Sequence, residues 1–78
     1  MGSVKVGIVG LITNSDHPRH HVRVDDDSGN TGGFLIYEWW EGSDGPNANN
    51  AFDSWVESRE ALESFFREGN WKVDWNAA

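Results

Sequence analysis

The sequence predicts a small α+β domain with the element order β-β-β-α-β. Three segments of the first half alternate in the manner of strands, and one apolar stripe flanked by capping residues follows in the second half. The short connections between the first three segments favour an antiparallel three-stranded meander. We therefore expect one C-terminal helix to pack on this sheet and a final short strand to join it.

The three predicted strands span residues 4–13, 20–26 and 33–40. They are rich in β-branched and aromatic residues, and polar turns of Asn, Asp, Ser and Gly separate them. The third strand ends on the adjacent residues Trp39 and Trp40. Successive side chains of a strand point to opposite faces, so one of these tryptophans must leave the face that the helix covers.

A long polar loop over residues 41–51 precedes the predicted helix. Residues 52–57 fit either extended chain or a first helical turn, and Ser58 is the preferred N-cap because its hydroxyl can accept a hydrogen bond from a free N–H. Gly69 is predicted to end the helix in the left-handed conformation. Residues 71–75 alternate as a last strand. The apolar stripe of the helix consists of Ala61, Leu62, Phe65 and Phe66.

The chain of 78 residues is expected to form one domain, residues 1–78, with an aromatic core. Five Trp, four Phe and one Tyr supply apolar area that so short a chain otherwise lacks. There is no cysteine, which excludes disulfides, thiolate zinc sites and thiol nucleophiles. Because small secreted domains commonly depend on disulfides, we expect a cytoplasmic protein.

The chain is strongly acidic. Thirteen acidic residues against six basic ones give a formal net charge of −7. This charge repels phosphate groups and anionic bilayers, so neither nucleic acid nor a membrane is an expected partner. The acidity either keeps the protein soluble or attracts a basic protein.

Two polar clusters are candidates for metal binding. His17, His20 and His21 follow Asp16, but the neighbours His20 and His21 point to opposite faces of a strand, which favours a solvated turn. Residues 25–30 lack the ligand and glycine positions of an EF-hand and are better explained as a hairpin loop. We expect no metal and no cofactor; weak calcium binding by the Asp- and Asn-rich loops is the alternative.

The sequence contains no recognised catalytic constellation. It has no cysteine nucleophile, no nucleophile elbow and no serine with an identifiable base, and a domain of this size has little room for a substrate pocket. We expect a non-enzymatic, acidic protein-binding module of the inhibitor, immunity or adaptor type that engages a basic partner. The alternative is a small ligand- or carbohydrate-binding module that uses exposed tryptophans and the Asp- and Asn-rich loops.

The second face of the predicted sheet is the candidate binding surface. One helix covers one face, whereas strands one and three carry apolar residues on both. Either residues 41–56 cover the second face, with Trp55 as a plug, or this face is a partner site or a homodimer seam. The protein is accordingly expected to be a monomer or a homodimer. The candidate partner-binding residues are Tyr37, Glu38, Trp39, Glu41, Asp44, Trp55, Asp25, Asp26 and Asp27.

Overall fold

The computed structural model describes residues 4–45 and 51–76. In this part of the chain five strands form one antiparallel sheet in the order β4-β3-β2-β1-β5, and one helix packs on it. The predicted α+β class and the antiparallel meander are confirmed, but the order is β-β-β-β-α-β. The elements are β1 (Val9–Ile12), β2 (His21–Asp27), β3 (Gly33–Trp39), β4 (Phe52–Val56), α1 (Arg59–Glu68) and β5 (Val73–Asp74).

The first strand is shorter than the sequence predicts because the chain bends at Gly7. This residue has a φ of +84°, which belongs to the left-handed region that glycine enters freely. Its N–H donates a hydrogen bond to the carbonyl of Val24, so the segment still follows β2. Val4 and Val6 pack in the core, whereas Ile8 is 44% exposed at the bend.

Residues 52–56, which the sequence left open between strand and helix, form β4. This strand pairs antiparallel with β3, with Leu35 opposite Trp55 and Tyr37 opposite Asp53. It therefore extends the sheet sideways instead of folding over its second face. Residues 46–50, which belong to the predicted loop over residues 41–51, lie outside the described residues.

The helix begins where the sequence predicts. Ser58 is the N-cap, and its Oγ accepts a hydrogen bond of 3.1 Å from the N–H of Ala61. The predicted left-handed Gly69 is wrong: Gly69 has a right-handed backbone, and Asn70 takes the positive φ of 56°. The chain turns one residue later because Asn14 holds it, donating from Nδ2 to the Asn70 carbonyl and accepting at Oδ1 from the Lys72 N–H.

The core lies between α1 and one face of the sheet. The last strand, β5, comprises Val73–Asp74 alone, so it is shorter than the predicted strand of residues 71–75. Trp71 and Trp75 flank it, and their partly buried side chains pack against the core. Within residues 4–45 and 51–76, no helix is long and apolar enough to cross a bilayer. The buried core side chains are Val4, Ile12, Val22, Val24, Ile36, Leu62 and Phe66.

Candidate functional site

The sheet face opposite α1 is covered by no helix or strand of the described residues. Antiparallel pairing places Leu11, His21 and Trp39 in one cross-strand row and Leu35 beside Trp55 in another. Cross-strand partners share a face, so the strand register defines this surface, which we call the open face. The open face comprises Val9, Leu11, His21, Arg23, Asp25, Asp27, Leu35, Tyr37, Trp39, Asp53 and Trp55.

Trp55 is the most exposed aromatic side chain of the open face. It is 49% exposed, yet its orientation is fixed. The indole N–H donates to the Oγ1 of Thr31 over 2.8 Å, and a Cβ atom added to Gly33 would lie 2.8 Å from the indole ring. The ring thus rests on the backbone of β3, where Gly33 leaves space. An aromatic ring held in this way loses little conformational freedom when a partner binds it.

A second part of the open face centres on Arg23. Its guanidinium lies 5.4 Å from the centre of the Tyr37 ring and bonds the carboxylate of Asp25 at 3.0 Å. The cation–π contact and the ion pair keep Arg23 close to the sheet. The positive charge of this side chain is consequently already matched within the molecule.

Trp39 completes the aromatic surface. Its ring stacks against His21, with a centroid distance of 5.7 Å and an interplanar angle of 22°. A shallow groove continues from these two rings past Val9 to Ile8 and Trp75. Apolar surface therefore reaches from Trp39 on β3 across the sheet to its β5 edge, where Trp75 lies.

The strand register and loops place the predicted partner-binding residues in two groups. Tyr37, Trp39, Trp55 and Asp25 lie on the open face, and Asp27 follows the same alternation at the end of β2. Asp26, Glu38, Glu41 and Asp44 lie elsewhere.

The four remaining residues each have another setting. Glu38 is on the helix face, where it binds His20, and Glu41 lies 3.8 Å from Arg19 across an exposed ion pair. Asp44 is exposed in the loop after β3. Asp26 accepts hydrogen bonds from the side chain and the backbone N–H of Ser28, which lower the pKa of its carboxyl.

Two polar members of the open face, Arg23 and Asp53, are not marked as binding residues by the sequence pattern. Arg23 lies within the predicted second strand, and Asp53 lies in residues 52–57, which fit either extended chain or a first helical turn. The strand assignment of residues 52–56 would have been enough to find Asp53, because alternation then puts it on the same face as Trp55.

A separate polar cluster lies at the end of the sheet, on the helix side. His20, expected in a solvated turn, is 4% exposed. Its Nδ1 is 2.6 Å from the Oγ of Ser15, and its Nε2 is 2.9 Å from Oε1 of Glu38. The Trp40 and Trp71 rings meet the imidazole edge to face. Thus a buried histidine joins a serine to a carboxylate.

The three histidines do not converge on a common point. His20 faces the helix side, and His21 stacks on Trp39 on the open face. No group of three or more His, Asp or Glu side chains among residues 4–45 and 51–76 has an arrangement that could hold a metal ion.

Comparisons of this chain with protein-family models, with curated proteins and with solved structures found no match. The open face and the Ser15–His20–Glu38 cluster are therefore the two features from which a function can be inferred.

Proposed function

We propose that the chain is a non-enzymatic protein-binding module, of the inhibitor, immunity or adaptor type, whose open face engages a basic protein. The observation that carries this proposal is the aromatic surface of Tyr37, Trp39 and Trp55 on a sheet face that no described helix or strand covers. Exposed apolar patches on small proteins commonly mark interaction sites, and aromatic side chains dominate the energetics of interfaces.

Charge supports a basic partner. Asp25, Asp27 and Asp53 accompany the aromatic residues on the open face, and Arg23 is already paired with Asp25. The chain as a whole carries a net charge of −7. Two copies meeting through this face would bring like charges together, whereas a basic surface would be attracted from a distance and oriented as it approaches.

Capture from a lysate of the native host, with two matched variants, tests the proposal. Trp55 and Phe52 are both exposed aromatic residues of β4, at 49% and 38%, and they point to opposite faces of the sheet. We expect Trp55→Ala to weaken binding of the captured protein by about 2 kcal/mol or more, as for a buried aromatic anchor. Phe52→Ala should leave binding unchanged.

Two outcomes would contradict the proposal. One is a partner whose affinity is the same for Trp55→Ala and wild-type protein. The other is an acidic partner whose association rate does not change with salt, since electrostatic attraction between opposite charges is screened by salt.

A carbohydrate-binding function is the second candidate, and the setting of Trp55 favours it. The flat indole ring lies beside the loop of residues 28–32 through its bond to Thr31, so a stacking surface and polar loop groups are adjacent. Titration with neutral oligosaccharides, followed by tryptophan fluorescence, tests this candidate. A saturable change that is lost in Trp55→Ala would support it and count against the protein-binding proposal.

A further inference from the structure

The Ser15–His20–Glu38 cluster has the order of a nucleophile, a base and an orienting acid. An ionised carboxylate only accepts hydrogen bonds, so the His20 Nε2 that lies 2.9 Å from Glu38 carries the ring proton. The Nδ1 atom is then left with its lone pair, and the Ser15 hydroxyl donates to it over 2.6 Å. Covalent catalysis by serine depends on a base held in this way by a third group.

We propose that Ser15 is a nucleophile that accepts acyl groups from esters, with His20 as its general base and Glu38 as a positioning residue. The Ser15 Oγ attacks the ester carbonyl carbon while its proton passes to His20 Nδ1. The bond from that carbon to the leaving oxygen then breaks, and the departing alkoxide takes the proton from Nδ1. The products are an acylated Ser15 and a free alcohol. The step consumes one ester per chain, so it is a self-acylation without turnover and is compatible with a non-enzymatic binding function.

The surroundings of the cluster suit this chemistry. His20 is buried between the Trp40 and Trp71 rings, which fix its orientation and exclude water from the base. Ser15 is half-buried, so part of this residue is in contact with solvent. The backbone N–H of His17 donates to the same Oγ over 3.0 Å, so it fixes the position of the hydroxyl beside the His20 imidazole.

The adjacent rings point to an uncharged, apolar or aromatic acyl group. His17 stacks on Trp40 with a centroid distance of 4.0 Å, and Trp40 stacks on Phe52 at 5.2 Å. These rings form a continuous aromatic wall beside the His20 imidazole. The net charge of −7 disfavours anionic esters. The site is independent of the open face, since it lies on the other side of the sheet.

The test is acylation by 4-nitrophenyl benzoate, an uncharged aromatic ester. Release of 4-nitrophenolate should show a burst of one equivalent, and peptide mass spectrometry should place the benzoyl group on Ser15. Because general base catalysis contributes at least about 100-fold, Ser15 should react about 100 times faster than Ser28. Ser28 is the matched control because it is an exposed serine whose hydroxyl binds the Asp26 carboxylate.

Variants separate the roles of the three residues. Ser15→Ala should abolish the burst, and Ser28→Ala should retain it. Glu38→Gln should lower the rate constant at saturating ester and leave the half-saturating concentration unchanged, because Glu38 orients His20 and does not touch the ester.

The proposal would be overturned by benzoylation spread over several nucleophiles, or by equal rates for native protein and protein unfolded in urea. The comparison in urea needs no variant, so it decides the question even if substitutions of the buried His20 prevent folding. An unchanged rate constant in folded Glu38→Gln would likewise remove Glu38 from the mechanism.

Discussion

At the scale of single residues, two tryptophan rings occupy space that a glycine leaves free. A Cβ atom at Gly10 would lie 2.6 Å from the Trp75 ring on the helix side, and one at Gly33 would lie 2.8 Å from the Trp55 ring on the open face. Glycine inside a strand normally weakens it, but here it lets an aromatic ring lie directly on the backbone. The exposed position of Trp55 thus depends on a residue of the neighbouring strand.

We expect Gly33→Ala to destabilise the protein by about 1–3 kcal/mol, the usual cost of overpacking. The added methyl group would meet both the Trp55 ring and the carbonyl oxygen of Val56, so β4 would have to move away from β3. Urea denaturation measures the loss. Gly29→Ala is the control, since no atom of the described residues lies within 4 Å of its added Cβ. Equal stability of the two variants would show that Trp55 does not rest on Gly33.

The pKa of Asp26 provides a local test of the β2–β3 turn. Two hydrogen bonds from Ser28 lower this pKa below 3.8, and the side-chain bond has the larger effect. We expect Ser28→Ala to raise the Asp26 pKa towards 3.8, with the backbone N–H keeping part of the shift.

A titration followed by carboxyl NMR measures this change. Since the folded pKa is depressed, the carboxylate stabilises the fold at pH values above 3.8, and this contribution is lost as the pH falls through the folded value. No change in the pKa on Ser28→Ala would contradict the hydrogen bond from its hydroxyl.

At the scale of elements, the end of α1 distinguishes the observed geometry from the predicted one. Gly69 is right-handed and Asn70 left-handed, with a φ of 56°. We expect Asn70→Ala to destabilise the protein by about 1–2 kcal/mol. The left-handed conformation is unfavourable for residues with a Cβ, and asparagine adopts it more readily than alanine because its short polar side chain can form local hydrogen bonds. Gly69→Ala should be neutral or stabilising by up to about 1 kcal/mol. Thermal unfolding measures the stability of both variants. If Gly69 were the left-handed residue, Gly69→Ala would be less stable than Asn70→Ala.

The apolar residues of α1 are buried to different extents. Leu62 is fully buried, whereas Phe65 packs at the margin of the core. We expect Leu62→Ala to cost about 2–5 kcal/mol, which is a large part of the stability of so small a domain. Phe65→Ala should cost clearly less. Urea unfolding midpoints of the two variants provide the comparison, and a larger loss for Phe65→Ala would mean that the helix is rotated from the observed orientation.

The sequence predicts those helices and strands whose capping residues and apolar pattern lie within the element itself. The helix combines Ser58 as a cap with an uninterrupted stripe. The strand β2 alternates around Val22 and Val24, and β3 is a run of aromatic and β-branched residues typical of strands. The predicted first strand extends too far because the chain bends at Gly7. Glycine at this position indicates a weakened strand or a bulge, but it does not show that the strand begins only at Val9. The strand β4 was ambiguous, since its five residues become ordered by pairing with β3, a contact that is distant in sequence.

The two candidate sites differ in how far the sequence revealed them. Trp39 and Tyr37 were placed on one face by alternation along β3, so the aromatic surface could be anticipated. The burial of His20 could not, because a turn with three histidines suggests exposure. Its alternation with Val22 and Val24 was the available signal, but the contacts with Ser15 and Glu38 join three segments and depend on the tertiary fold.

At the scale of the whole molecule, the two faces of the sheet differ in composition. One carries the buried core under α1, and the other carries aromatic and acidic side chains. The net charge of −7 acts at long range, whereas the aromatic rings act at contact. For the proposed binding function, charge should therefore govern the association rate of the partner, and the rings should govern its dissociation rate.

The position of a charge, and not only the net charge, should therefore affect the association rate. Asp53→Lys and Glu68→Lys change the net charge equally, but Asp53 lies on the open face and Glu68 in the last turn of α1. We expect Asp53→Lys to slow association with the captured basic partner more than Glu68→Lys does, because attraction depends on charge near the approaching surface. Raising the salt concentration should reduce this difference, since charges are screened beyond about 8 Å at physiological ionic strength. Stopped-flow association at two salt concentrations measures both effects. Equal slowing by both variants would mean that only the total charge matters and that the partner approaches another surface.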